Sequence, residues 1–249
     1  MSLAGRVALV TGGGSGIGRS ISLSIARSGA SVGVLDINRA GAEQTVATIT
    51  DAGGRACGLS ADVADAEAVR AAVAQARAAL GLVHILVNVA GIGGFVPLIE
   101  MSHSDWDRMI AVHLTGTFNC TRTVVPDMIA AAWGRIVNIG SVAGLSGGGP
   151  GLSHYAAAKG GIIAFSKALA HELGPSGITV NCIATGLIDT PLIVKSMVSD
   201  QVRAQAIQGA PVRRIGVPDD IAAACAFLVS EESSFFTGQV MSPNGGRYM

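Results

Sequence analysis

The sequence predicts an α/β fold with a doubly wound parallel sheet and helices on both of its faces. Short continuous apolar runs such as Arg6–Thr11 are typical of strands buried on both sides in a parallel sheet. Helical patterns alternate with these runs and short connections join them, as in right-handed βαβ units. A glycine-rich segment at residues 11–18 follows the first run and opens the first helical pattern. Together these observations indicate a sheet with a ligand site at the carboxyl ends of its strands.

The predicted strands are short apolar runs, most of them followed by glycine or a polar residue. They are Arg6–Thr11, Ser31–Leu35, Arg55–Leu59, His84–Val87, Arg135–Ile139, Ile178–Ile183 and Gln239–Ser242.

The predicted helices begin after these strands, and the first two end at Gly29 and Gly53, because glycine commonly terminates a helix. We expect interruptions at Gly116 and Pro126, since proline removes a backbone donor and clashes with the preceding turn. The helices are Ile17–Ser28, Arg39–Ala52, Ala66–Leu80, about Ser104–Ala132, His154–Leu173 and Asp219–Ser230.

Length and composition bound the domain organisation and the partners. The 249 residues contain no repeat or linker, so we expect a single domain over residues 1–249, to which the motifs below give a dinucleotide-binding and catalytic role. The irregular stretch at about 186–216 is interpreted as a substrate lid, because loops of that length are usually functional. Lys and Arg number 17 and so do Asp and Glu, which gives no electrostatic footprint for nucleic acid or a membrane.

The expected compartment is the cytoplasm. Cys57, Cys120, Cys182 and Cys225 are far apart and are expected to be reduced and buried, with no metal site. The first strand begins within a few residues of Met1, which leaves no room for a signal peptide, and no apolar run is long enough to span a membrane.

The glycine-rich segment predicts a phosphate site. Its small residues let the backbone approach a pyrophosphate, and the following helix supplies amides and a positive dipole end. Asp36 at the end of the second strand can accept both ribose hydroxyls and would repel a 2′-phosphate, so NAD is favoured over NADP. The plainer alternatives are a tight turn without a ligand and a strand-end aspartate. Arg39 is interpreted as a surface charge.

Tyr155 and Lys159 predict the chemistry. In a helix, residues four apart lie on one face, one turn from each other. A neighbouring ammonium is expected to lower the pKa of the phenol, which can then exchange a proton with a carbonyl that accepts a hydride. The pattern therefore indicates alcohol–ketone redox chemistry with a nicotinamide cofactor. The alternative is a partly exposed tyrosine beside an unrelated surface lysine.

Thr11–Gly18, Asn88–Gly91, Ser141 and Tyr155-Ala-Ala-Ala-Lys159, in this order and spacing, resemble the short-chain dehydrogenase/reductase family over essentially the whole chain. The resemblance implies a Rossmann-type sheet of seven parallel strands, usually in a homodimer or homotetramer. It implies that Tyr155 is the general acid/base and that Lys159 stabilises the phenolate and binds the nicotinamide ribose. It makes Ser141 a donor to the substrate oxygen.

The resemblance also implies the residues that hold the cofactor. Asp62 matches a residue that reads the adenine edge, although a helix N-cap is the alternative, and Thr190 matches one that binds the carboxamide. The expected set, besides Tyr155 and Lys159, is Gly12, Ser15, Gly16, Ile17, Gly18, Asp36, Asp62, Val63, Asn88, Ala90, Gly91, Gly186, Ile188 and Thr190.

The sequence departs from the family pattern at four positions. His113 stands where the family has a catalytic asparagine, and it is either a catalytic residue or, as we favour, an inward histidine that holds the helix. Val89 and His84 are expected to alter hydrogen bonds at the sheet ends. Thr185 replaces a proline before the lid, which frees φ and adds an amide donor.

The predicted substrate pocket is mostly apolar and has no convergent arginines for a carboxylate or phosphate. His154 either binds substrate or is an exposed neighbour of Tyr155. The expected lining is Gly93, Phe95, Val142, Ala143, His154, Leu187 and Met197.

Three functions compete at this point. The leading hypothesis is an NAD-dependent dehydrogenase or reductase of medium-sized apolar secondary alcohols and ketones. The alternative is a 3-oxoacyl reductase acting on a carrier-protein or coenzyme A thioester. Residues 130–134 and 174–177, where carrier-protein reductases place cations, have none, which counts against the carrier protein. The third hypothesis, a non-catalytic NAD-binding protein, leaves the intact Ser141, Tyr155 and Lys159 unexplained.

Overall fold

The strands form one seven-stranded parallel sheet in the order β3-β2-β1-β4-β5-β6-β7. The computed structural model describes residues 2–191 and 200–249. The strands are β1 Val7–Thr11, β2 Ser31–Asp36, β3 Ala56–Ser60, β4 Ile85–Asn88, β5 Gly134–Ser141, β6 Ile178–Thr185 and β7 Val240–Met241. The predicted fold is confirmed, and the strand bounds differ from the predicted ones by one or two residues.

The helices cover both faces of the sheet. They are α1 Gly16–Arg27, α2 Arg39–Asp51, α3 Ala66–Leu80, α4 His103–Ile110, α5 Gly116–Ala130, α6 Ala143–Ser146, α7 Ser153–Leu173, α8 Asp200–Gly209 and α9 Pro218–Leu228. A π-helical segment, Ala111–Thr115, joins α4 to α5, and 3₁₀ turns occupy Gly174–Ser176 and Glu231–Ser233. None of the helices in the described ranges is both long enough and apolar enough to cross a bilayer.

The core lies in two layers, one on each face of the sheet. Ile21 and Ile25 of α1 pack with Leu228 of α9 on one face. Val73 of α3 and Val124 of α5 pack on the other face. Strands buried on both sides explain the continuous apolar runs of the sequence.

The expected interruption at Pro126 is wrong, because α5 runs through it. Buried Val124 and Met128 flank the proline, and the Asp127 carboxylate accepts hydrogen bonds from Arg77 Nε at 2.8 Å and from the Val83 amide at 3.0 Å. These tertiary contacts outweigh the lost backbone hydrogen bond. The irregularity lies instead just before Gly116, in the π-helical segment.

The expected irregular stretch at 186–216 is also partly wrong, because it contains α8. Met197, which was expected to line the substrate pocket, lies outside the described residues. The short helix α6 was not predicted.

The strand order reverses beside β1, which has β2 on one side and β4 on the other. The connections after β1 and β4 therefore leave in opposite directions and open a crevice at the carboxyl ends of the strands. Ligands bind at such a switch point in open α/β sheets. The fold thus brings the glycine-rich turn, Asn88–Gly91 and the end of β5 to one edge.

Candidate active site

The glycine-rich turn packs closely against the end of β4. Gly12 is left-handed (φ 64°), and a Cβ there would lie 3.0 Å from the backbone of Ala90. Thr11 Oγ1 accepts hydrogen bonds from the Val89 and Ala90 amides at 2.9 and 3.1 Å, which fixes the two turns to each other. Ser15 is the N-cap of α1, but its side chain does not cap the helix. The first-turn amides therefore face the crevice without a side-chain acceptor from the cap.

Asp36 holds the same turn from the other side. Its Oδ2 accepts a hydrogen bond from the Gly14 amide at 2.9 Å, and its Oδ1 accepts one from the Asn38 amide at 2.8 Å. Each oxygen keeps a second lone pair, so the carboxylate can still accept from a ligand hydroxyl. Arg39 is 79% exposed and pairs with Glu43, as expected for a surface charge.

Asp62 pairs with Arg108 across 3.0 Å and lies at the crevice, whereas the N-cap of α3 is Asp65. The alternative interpretation of Asp62 as an N-cap is therefore wrong. The Asn88 side chain does not line the crevice as expected. Its Nδ2 donates to Asn138 Oδ1 at 2.8 Å, because the interior beside β5 offers this buried polar partner.

These residues surround a cavity of about 360 Å³. Of the expected cofactor set, its lining includes Gly12, Ser15, Gly16, Ile17, Gly18, Asp36, Asp62, Val63, Ala90, Gly91 and Thr190. A second cavity of about 470 Å³ shares Ile17, Val89, Gly91 and Thr190 with the first. The two cavities adjoin, and the N-terminus of α1 with its glycine-rich turn lies at the first of them. This arrangement fits an extended dinucleotide.

The second cavity contains the expected catalytic residues. Ser141, Tyr155, Lys159 and His113 all line it. From the other expected sets, Gly93, Phe95, Val142, Ala143, Gly186, Leu187 and Ile188 line it as well. The structure therefore brings residues from β5, α7 and the loops after β4 and β6 around one space.

Ser141 and Lys159 are fixed by backbone contacts. Ser141 Oγ accepts a hydrogen bond from the Ala143 amide at 3.1 Å, so its own hydroxyl hydrogen can point into the cavity and donate there. Lys159 is buried, and its Nζ donates to the Ile139 carbonyl at 2.6 Å and lies 5.7 Å from the centre of the Tyr155 ring.

The pKa of Tyr155 moves opposite to the predicted direction. Burial raises it, and a hydrogen bond with the Ser141 side chain partly offsets the rise. Burial also lowers the pKa of Lys159 to about 8. Burial disfavours the charged form of each group, although a pKa of about 8 still leaves Lys159 mainly as an ammonium at pH 7. The polypeptide alone therefore holds a protonated phenol.

His113 is an inward, hydrogen-bonded histidine. Its Nε2 lies 3.1 Å from the Ile92 amide nitrogen and 2.9 Å from the Ile92 carbonyl oxygen. Its ring meets the Tyr155 ring edge-on at 5.4 Å, and burial lowers its pKa to about 3. These contacts favour the role of holding the structure, with a neutral ring that supports both the Gly91–Gly93 loop and the phenol.

Both expectations for His154 are wrong. Its side chain is 1% exposed, so it is not an exposed neighbour of Tyr155, and it does not line the substrate cavity. Helix α7 packs against α4, and the imidazole lies close enough to Asp105 of α4 to affect its pKa.

Sequence reasoning missed Arg247. It lines the substrate cavity, contrary to the expectation of a pocket without arginine. The sheet brings it there from the C-terminal segment, a placement that no local pattern indicates. His84 Nδ1 accepts a hydrogen bond from the Val7 amide at 3.2 Å, in keeping with the predicted change at the sheet ends.

The fold and the two cavities define a dinucleotide-dependent oxidoreductase. Residues 12–247 match a family model described as enoyl-(acyl carrier protein) reductase. The chain belongs to the short-chain dehydrogenase/reductase family.

Curated relatives and a solved structure resemble the chain over nearly its whole length. It is 42% identical to the short-chain reductase protein NovJ of Streptomyces niveus, over 97% of this chain and 93% of that one. It is 43% identical to BbsD of Thauera aromatica, a subunit of (2S)-[(R)-hydroxy(phenyl)methyl]succinyl-CoA dehydrogenase, over 99% and 98%. A 3-oxoacyl-[acyl-carrier protein] reductase from Brucella melitensis with bound NAD has a TM-score of 0.92 and 40% identity, over 100% and 93%.

Proposed function

We propose that the protein interconverts 3-oxoacyl and 3-hydroxyacyl thioesters with NAD(H), with coenzyme A as the carrier. The observation that carries this proposal is the intact Ser141, Tyr155 and Lys159 set in a chain about 40% identical to thioester enzymes. The relatives thus favour the alternative of the sequence analysis over its leading hypothesis. The whole chain acts as one dinucleotide-binding and catalytic unit.

The side chains of the site supply proton transfer and charge stabilisation. A bound nicotinamide would supply or accept the hydride. During reduction Tyr155 donates its proton to the carbonyl oxygen, and Ser141 donates a hydrogen bond to the same oxygen as negative charge develops. During oxidation the proton moves back to the Tyr155 oxygen. Lys159 stabilises the phenolate that forms after proton donation, since its ammonium lies beside the ring.

Coenzyme A is favoured over an acidic carrier protein by the surface charges. Residues 130–134 run from the end of α5 to the start of β5 and include three alanines and no cation, and Gly174–Ser176 is equally neutral. The two arginines that stack on Trp133, Arg6 and Arg135, are both paired with Glu231, so an acidic partner would find no unpaired cation at these positions. A coenzyme A thioester needs only the cavity and its mouth.

Spectrophotometric turnover with matched thioesters tests the proposal. We expect NADH-dependent reduction of acetoacetyl-CoA with a kcat/KM at least about tenfold above that of acetoacetyl-carrier protein. A Tyr155→Phe control separates enzyme turnover from background. Equal or better reduction of the carrier-protein substrate would contradict the choice of coenzyme A.

A second candidate function is the oxidation of apolar secondary alcohols without a carrier. The apolar wall of the substrate cavity, which includes Phe95, Leu152 and Leu187, favours it. Preference for a simple aryl or alkyl ketone over acetoacetyl-CoA in the same assay would select this candidate.

Asp36 supports NAD over NADP. We expect Asp36→Asn to lower the ratio of kcat/KM for NAD to that for NADP by at least about tenfold, because the variant removes a negative charge that repels a 2′-phosphate. Asp51→Asn at the exposed end of α2 removes the same charge away from the cavity and should leave the ratio unchanged. An unchanged ratio in Asp36→Asn would show that another residue selects the cofactor.

Two aromatic residues support the predicted homo-oligomer. Phe118 of α5 is 43% exposed and meets Phe165 of α7 edge-on at 6.4 Å. An exposed phenylalanine in contact with a half-buried one on the adjacent helix favours an isologous helix-pair contact between copies, as in a dimer or tetramer. The four free cysteines fit the reducing cytoplasm.

A further inference from the structure

Arg247 places a cation in the substrate cavity. Its side chain also lines a smaller cavity of about 140 Å³ between α8, α9 and the C-terminal segment. Leu187 and Ile188 line both spaces, so Arg247 lies where the two adjoin. A substrate that extends beyond the catalytic residues toward this junction therefore meets a guanidinium.

The charges around Arg247 are not balanced. Among the described residues that line the substrate cavity, Lys159 and Arg247 are cations and none is a carboxylate. In the smaller cavity Asp220 is engaged by Arg214, with Nη1 and Nη2 donating at 2.6 and 2.7 Å. No ion pair of the Arg247 guanidinium occurs within residues 2–191 and 200–249. The guanidinium is thus available for an oxyanion from outside the chain.

The backbone that carries Arg247 is fixed. Asn244 Nδ2 donates to Ser242 Oγ and to the Tyr248 carbonyl, each at 2.8 Å, which closes the turn around Arg247. Ser242 Oγ in turn donates to the Ala184 carbonyl of β6 at 3.1 Å. A Cβ on Gly186 would lie 2.9 Å from Asn244 Cα, so the turn packs directly on the strand that leads to the active site.

We infer that Arg247 is a specificity-determining residue that binds an oxyanion of the substrate, either a carboxylate on the acyl chain or a phosphate of coenzyme A. This inference rests on the proposed thioester function and narrows its substrate class. Guanidinium groups bind carboxylate and phosphate through paired hydrogen bonds, which makes arginine the suited residue for either oxyanion.

Two matched substrate pairs separate the sources of the oxyanion. Acetoacetyl-CoA and acetoacetyl-N-acetylcysteamine differ in the presence of the phosphates. The N-acetylcysteamine thioester of 3-oxoadipic acid and its ω-methyl ester differ in a terminal carboxylate. Initial rates with NADH are measured for the wild type, Arg247→Ala, Arg247→Lys and Arg213→Ala. Arg213→Ala is the matched control, because this substitution removes a nearby positive charge that lines neither cavity.

In one of the two pairs, Arg247→Ala should lower kcat/KM more for the charged substrate than for the uncharged one, and the two decreases should differ by a factor of about 10 to 100. The larger loss should come mainly from a higher KM for the charged substrate. Arg247→Lys should recover part of this preference, and Arg213→Ala should retain all of it. Equal loss on both members of each pair, or no loss, would overturn the inference while the thioester function stands. If none of the four thioesters is reduced, the proposed function and the role of Arg247 both fall.

Discussion

Replacing Tyr155 by phenylalanine should lower kcat by about 10³-fold, equivalent to about 4 kcal/mol of transition-state stabilisation. The ring and its edge-on contact with His113 remain in this variant, so only the proton-transferring oxygen is lost. NADH turnover at saturating substrate measures the loss. Fluorescence titration with NADH should give an unchanged Kd within about threefold, because the glycine-rich turn and Asp36 are untouched.

Tyr248 is the matched control, since it is the other tyrosine of the chain and is 40% exposed near the C-terminus. Tyr248→Phe should keep the wild-type kcat. Retained turnover in Tyr155→Phe would show that another group supplies the proton, and His113 would then be the first to test because it also lines the cavity.

The pH dependence of the rate in the oxidation direction distinguishes a proton acceptor at this position from a purely structural tyrosine. The neutral phenol of the buried site must release its proton before it can accept one from an alcohol. The raised pKa of Tyr155 therefore makes oxidation fall as the pH decreases, while reduction, which uses the protonated form, is retained.

Local patterns in the sequence were sufficient to predict the sheet and the shared face of Tyr155 and Lys159. Apolar runs set the strands, and a four-residue spacing puts the two side chains one helical turn apart. These features depend on neighbours along the chain. They needed no knowledge of which distant segments meet.

Features that depend on distant contacts were not predictable in this way. The rise in the pKa of Tyr155 follows from burial, which the spacing does not show. Arg247 reaches the cavity from the C-terminal segment, where Asn244 packs on Gly186. His154 is buried because α7 packs against α4, although its neighbour in sequence lines the cavity.

Gly18 combines a local sequence signal with a tertiary contact. The sequence marks it as part of the glycine-rich segment, and the structure shows why a larger residue would not fit there. A Cβ there would collide with the carbonyl oxygen of Gly12 and would lie 3.1 Å from Gly13 Cα, so only a backbone shift could relieve the contact. Alanine is favoured over glycine inside a helix by roughly 1 kcal/mol. The collision outweighs this gain, since overpacking against a backbone costs about 1–3 kcal/mol and the turn it displaces is the predicted phosphate site.

We therefore expect Gly18→Ala to raise the Kd for NADH by at least about tenfold and to lower the melting temperature. Isothermal titration and thermal unfolding measure the two effects. Gly209→Ala is the matched control, because a Cβ at this last residue of α8 meets no heavy atom within 4 Å. Wild-type affinity in Gly18→Ala would mean that the turn after β1 does not hold the pyrophosphate, since the displaced Gly12 carbonyl and its neighbouring amides could not then keep their present geometry.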